Sequence, residues 1–135
     1  MAVTETETLL LEGEACSGLG EGASFTALAW VRRAFLARLG FDPYPGTFNL
    51  RMGGTAWEGA RRVLMREAGI AISPEPGFCA AKCFHVVLAG RITGAVVFPE
   101  VPGYPPDKFE VVSAVPVRQA LGVRDGERIS VSVVC

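Results

Sequence analysis

No stretch of this 135-residue chain is long and apolar enough to cross a bilayer, and its opening, MAVTETETLL, carries acids where a secretory leader carries basic residues. Both absences point to a soluble, cytoplasmic protein. Lys and Arg form no cluster, and a formal net charge of -1 with a pI near 5.8 gives no electrostatic footprint for nucleic acid. Neither a membrane nor nucleic acid is expected as a partner, and protein partners are left open. Histidine occurs once. The cysteines, Cys16, Cys79, Cys83 and Cys135, have no secretory context and read as reduced thiols. Cys79, Cys83 and His85 invite a zinc reading, but on an extended strand the two thiols stand roughly 13 Å apart at about 3.3 Å per residue, too far for Zn–S bonds of about 2.3 Å. Buried thiols and a histidine on a sheet face are expected instead. No internal repeat, linker or low-complexity segment is evident.

What is present is a half-hydrophobic chain, enough for one packed core and too short for two, so residues 1–135 read as a single domain. LLLEGEA, FNLRM, AAKCFHVVL, ITGAVVF, FEVVSAV and RISVSVV are strand candidates, rich in Val, Ile and Phe and bounded by Gly, Pro or Asp-Gly. Six such strands predict a mainly β protein, a small barrel with two to three helices. Leu28, Val31, Phe35 and Leu39 recur at helical spacing, with Gly40 as the stop. Thr55-Ala-Trp-Glu58 reads as a capping box opening a second helix through Leu64 to Gly69, and Pro116 and Gly122 bracket a brief third. SPEPG at 73–77 and PEVPGYPPD at 99–107 are loops, the second stiffened by its prolines.

Two stretches carry chemistry. ACSGLGEGASF places Gly18, Gly20 and Gly22 at alternate positions, a backbone that a ligand can approach closely and whose successive N–H groups can cradle phosphate. It lacks the Lys-Ser/Thr of a Walker A loop, and its third glycine falls one residue early for the dinucleotide fingerprint. A flexible turn is the competing reading. In LGFDPYPGTFNLRM, Thr47 and Asn49 share one face of an extended chain and present two neutral oxygens, a set suited to Mg²⁺ that takes its negative ligands from substrate phosphates. Ordinary turn chemistry beside Pro-Gly is the alternative.

GEACSGLGEGASF, LGFDPYPGTFNL and FEVVSAVPVRQALGVRDGERISV resemble, in order and spacing, the CTP-dependent riboflavin kinases known chiefly from archaea. The resemblance covers nearly the whole chain. It implies a six-stranded cradle-loop barrel, without the N-terminal winged-helix domain of some relatives. It also implies transfer of the CTP γ-phosphoryl group to the riboflavin 5′-hydroxyl, giving FMN and CDP. On that likeness Gly18, Leu19, Gly20, Glu21, Gly22 and Ala23 form the nucleotide phosphate loop, with Val115, Pro116, Val117 and Arg118 closing over the nucleotide. Thr47 and Asn49 hold Mg²⁺, and Glu110 and Pro102 stand at the flavin. Glu110 is the candidate catalytic residue, orienting or deprotonating the acceptor hydroxyl, since a carboxylate at the end of an apolar strand can be desolvated. The sequence departs from the family pattern at Ala23, where a basic residue is expected, and at Pro102, where a threonine is. A kinase of the same barrel acting on another small-molecule alcohol, and a non-catalytic nucleotide- or flavin-binding module, are the alternatives.

Overall fold

A computed structural model describes residues 8–17, 26–73, 75 and 80–135. The glycine stretch Gly18–Ala23 and Cys79 lie outside the described residues. Burial alternates along β1 (Thr8–Cys16) and β7 (Arg128–Val134), which run antiparallel from Thr8 opposite Val134 to Glu14 opposite Arg128. The last residues of β1 pair with β2 (Phe48–Arg51), and β2 pairs with β6 (Lys108–Val112). β6 joins β5 (Ile92–Pro99), and β5 joins β4 (Ala81–Leu88). Residues His85–Leu88 of β4 then return to Val131–Val134 of β7, so the expected six strands close into an antiparallel barrel. Closure leaves the ring without a free edge.

A further strand, β3 (Ile70–Ile72), was not among the sequence-based expectations; it pairs with Ala81–Cys83 of β4, on the edge that β7 takes over from His85 onward. Three residues give too short an alternation to read. The strand expected over FEVVSAV ends at Val112, because Ser113 turns its hydroxyl onto the Thr93 carbonyl at 2.7 Å.

Side-chain alternation divides the apolar residues into two clusters. Phe48, Leu50, Phe84, Val96, Phe109, Val111 and Val131 fill the barrel interior. Helix α2 (Thr55–Arg66) packs into this cluster through Trp57, Ala60 and Leu64, with the Trp57 ring edge-on to Phe109 at 5.8 Å. On the outer wall, α1 (Ala29–Leu39) lays Val31, Phe35 and Leu39 against Ala81, Cys83, Ala95, Val97 and Val112. Burial at every fourth residue is the helical stripe expected from the sequence. Gly40, at φ 85°, ends α1 as expected, its N–H donating to the Phe35 carbonyl at 3.0 Å.

The capping box does not form. Gly54 is the N-cap of α2, Thr55 is already the first helical residue, and no side chain caps the end. Box geometry needs the hydroxyl on the cap itself, one position earlier. The helix also stops at Arg66 rather than running to Gly69; Lys82 Nζ donates to the Leu64 and Met65 carbonyls at 3.3 and 2.9 Å and satisfies its open end. Pro116 is the N-cap of α3 (Val117–Leu121), and Gly122 stops it in the left-handed region.

Candidate active site

The site residues gather on the outer wall of β2 and β6, because the neighbours Phe48, Leu50, Phe109 and Val111 point into the barrel. The turn before β2 is fixed at two points. Tyr44 N–H donates to the Ser113 carbonyl at 2.7 Å, and Gly46 N–H donates to the buried Thr26 hydroxyl at 2.8 Å. Thr47 and Asn49 then emerge on one face, with Asn49 Nδ2 donating to Thr47 Oγ1 at 3.2 Å and Oδ1 standing 3.5 Å from the same hydroxyl. Asn49 is only 5% exposed.

Register places Asn49 between two residues of different character. Its partner on β6 is Glu110, and its partner on β1 is Cys16, which with Ser17 leads into the glycine stretch. The structure therefore brings Thr47, Asn49 and Glu110 together beside the strand end that carries the proposed phosphate loop.

Glu110 is not a bare strand carboxylate. Its Oε1 accepts the Tyr104 hydroxyl at 2.6 Å and pairs with Lys108 Nζ at 3.0 Å, while Lys108 sits over the Tyr104 ring at 5.5 Å. Burial, reinforced by the bond to Glu110, pushes the Tyr104 phenol well above its ordinary value. The hydroxyl is a donor here. Tyr104 and Pro102 line a cavity of about 450 Å³ together with Arg61, Phe98 and Lys108. Tyr104, which lines this cavity with Pro102, reaches Glu110 through its hydroxyl.

Val115, Pro116, Val117 and Arg118 line a second cavity of about 220 Å³ with Thr47, Phe48 and Ser113. Arg118 crosses the Phe48 ring at 5.9 Å, pairs with Asp125 at 2.8 Å and donates to the Cys16 carbonyl at 3.3 Å. Asp125 also accepts the Ser17 hydroxyl at 2.6 Å. That hydrogen bond, and then the charge of Arg118, hold the Asp125 carboxyl below the usual carboxylate range.

Sequence reading missed Tyr104, Lys108, Ser17 and Asp125. Lys108 had a signal, since two residues before Glu110 on a strand is the same face. Asp125 had none, because its partner Ser17 is 108 residues away in the chain. Cys83 is buried against α1 and its thiol is pushed up to about 12 by desolvation, as a core thiol should be, whereas His85 is exposed on its strand. Among the described residues no group of His, Cys, Asp or Glu could hold a metal on its own, and no helix is long and apolar enough to cross a membrane.

A closed six-stranded barrel with its polar constellation on the outer wall, beside the end of β1 at Cys16 and a proline-rich loop, defines the class. The family model CTP-dep_RFKase, described as "Domain of unknown function DUF120", matches residues 15–133. The chain belongs to this CTP-dependent riboflavin kinase family. It is 40% identical over 131 residues to a riboflavin kinase of Archaeoglobus fulgidus, covering 94% of this chain and 55% of that protein. To riboflavin kinases of Pyrobaculum arsenaticum and Methanosarcina barkeri it is 41% and 34% identical, each over 133 residues, covering 93% and 96% of this chain and 61% and 58% of those proteins. The chain thus spans little more than half the length of these relatives.

Proposed function

We propose that this barrel is a riboflavin kinase that transfers the γ-phosphoryl group of CTP to the riboflavin 5′-hydroxyl, yielding FMN and CDP. The observation that carries the reading is the pairing of Asn49 with Glu110 on one side and Cys16 on the other. A metal-suited oxygen pair, an acid and the root of a phosphate loop lie in one row across neighbouring strands.

The oxygen pair suits Mg²⁺. Thr47 Oγ1 and Asn49 Oδ1 stand 3.5 Å apart, near the separation of about 3 Å between adjacent ligands of an octahedral ion with bonds of about 2.1 Å. Both are neutral, so the negative ligands come from the nucleotide, as is usual for this ion. When bound, Mg²⁺ would neutralise charge developing on the transferring group. The protein's own part is positioning. Gly18, Leu19, Gly20, Glu21, Gly22 and Ala23 offer backbone N–H groups to phosphate, and Val115, Pro116, Val117 and Arg118 wall the nucleotide cavity. Glu110 receives or orients the acceptor proton, with Tyr104 and Lys108 fixing Oε1 and leaving Oε2 to the acceptor. Little covalent help is needed beyond this.

Purified protein given Mg²⁺, riboflavin and each nucleoside triphosphate is expected to form FMN, seen by chromatography, with CTP above ATP. Equal or better use of ATP would overturn the donor assignment. A second reading rests on Pro102, which lines the larger cavity and has no hydrogen-bonding side chain to offer a flavin. Nucleotide turnover with another small alcohol and none with riboflavin would favour that kinase instead.

A further inference from the structure

We propose that Asp125, which has no role in the reading above, is a positioning residue that sets the Arg118 guanidinium and the end of β1 at the mouth of the nucleotide cavity. The proposal rests on that cavity taking a nucleoside triphosphate. Asp125 divides its carboxylate between two distant segments: Oδ1 pairs with Arg118 Nη1 at 2.8 Å and Oδ2 accepts the Ser17 hydroxyl at 2.6 Å. Arg118 Nη2 closes the loop by donating to the Cys16 carbonyl at 3.3 Å. The turn that carries Asp125 is itself laced to β1, with Gly126 N–H donating to the Ala15 carbonyl and Ala15 N–H to the Glu127 carbonyl, both at 2.8 Å. One carboxylate therefore ties α3, the β7 turn and the last residues before Gly18 into a single unit.

Stability does not account for this arrangement. The Arg118 and Asp125 side chains are 41% and 55% exposed, and ion pairs that open to water add little to folding free energy. Orientation does account for it. Each terminal nitrogen of arginine carries two N–H groups, so after the bonds to Asp125 and Cys16 each retains one to offer an anion in the cavity that Arg118 lines. A guanidinium held in place before the ligand arrives loses less freedom on binding. The same carboxylate holds Ser17, so the residue leading into the glycine stretch is set by the same contact that sets Arg118.

Calorimetry of CTP with Mg²⁺ tests this on the full chain, with thermal melting as the fold check. Asp125→Ala is expected to weaken CTP about fivefold to tenfold, as loss of a charge-assisted contact that orders a binding group would. FMN formation at saturating CTP should stay near wild type, so that KM for CTP rises and kcat does not. Asp125→Asn keeps the shape and one acceptor, and is expected to recover part of the loss; it also serves if the alanine variant melts early. The decisive comparison is a double-mutant cycle. If Asp125 acts through Arg118, adding Asp125→Ala to Arg118→Ala costs little further affinity. Glu12→Gln, which breaks the remote Arg128–Glu12 pair, should leave CTP binding unchanged. Wild-type affinity in the Asp125 variants, or additive losses in the cycle, would overturn the proposal alone. A wild-type protein that binds no nucleoside triphosphate in Mg²⁺ would overturn the nucleotide reading and this proposal with it.

Discussion

Asn49 and Glu110 are direct partners across β2 and β6, so their side chains leave the same face of neighbouring strands. An amide that also reaches the Thr47 hydroxyl thus stands beside the acid, and substitutions at the two positions test the proposed metal binding and the proposed proton transfer separately.

Asn49→Ala removes one of two proposed Mg²⁺ oxygens and leaves Thr47 in place. Nucleotide affinity measured by calorimetry in Mg²⁺ is expected to fall about tenfold or more, toward the value seen with chelator, since a bound ligand oxygen is worth more than an ordinary hydrogen bond. Affinity equal to wild type in Mg²⁺ would remove the pair as ligands.

Glu110→Gln keeps the size and a hydrogen-bonding group while removing the charge. Turnover to FMN is expected to drop by about 10² to 10⁴, the usual range for a general base, with nucleotide affinity retained. A variant that works at a similar rate would leave positioning alone to carry the reaction.

Tyr104→Phe deletes the hydroxyl that Glu110 accepts at 2.6 Å but keeps the ring under Lys108. The expected result is a loss of about tenfold in turnover, of the order of one hydrogen bond to a charged group, and little further loss when it is combined with Glu110→Gln. Additive losses in the double variant would mean that Tyr104 acts on the acceptor directly.

Cys83 gives a prediction about alkaline stability. Its folded value of about 12 exceeds the ordinary 9.0, so the neutral thiol is favoured by folding. That contribution is complete below pH 9 and is lost as pH rises toward 12, by at most about 4 kcal/mol. Chemical denaturation of wild type and Cys83→Ala between pH 8 and about 11 should show a smaller alkaline decline in the variant, which has no thiol to ionise. Parallel declines would assign the loss to other groups.

The barrel was legible because its strand segments are rich in Val, Ile and Phe and bounded by Gly, Pro or Asp-Gly. β3, at three residues, was not. Thr55 and Glu58 carried the right letters for a cap one position too late, a shift that spacing cannot detect when Gly54 takes the cap instead. In the site, the shared face of Thr47 and Asn49 followed from strand geometry. The neighbourhood of Asn49 and Glu110 did not, since it depends on which strands meet and in what register. The partners of Glu110 and Arg118 were hidden for the same reason: Tyr104 returns over a proline loop, and Asp125 meets Ser17 only when β7 lies beside β1.

The outer-wall location of the site gives the two faces of β2 and β6 different evolutionary freedoms. Phe48, Leu50, Phe109 and Val111 belong to the interior, while Thr47, Asn49 and Glu110 face away from it. Repacking Leu50 and Phe109 acts on the barrel interior, whereas Phe48, which also lies under Arg118 and lines the smaller cavity, belongs to both faces. Exchanging Thr47, Asn49 or Glu110 alters the proposed ligand groups and leaves the interior filled. On the proposed assignment, ligand preference and barrel stability can therefore change through largely separate positions of β2 and β6, with Phe48 as the position they share.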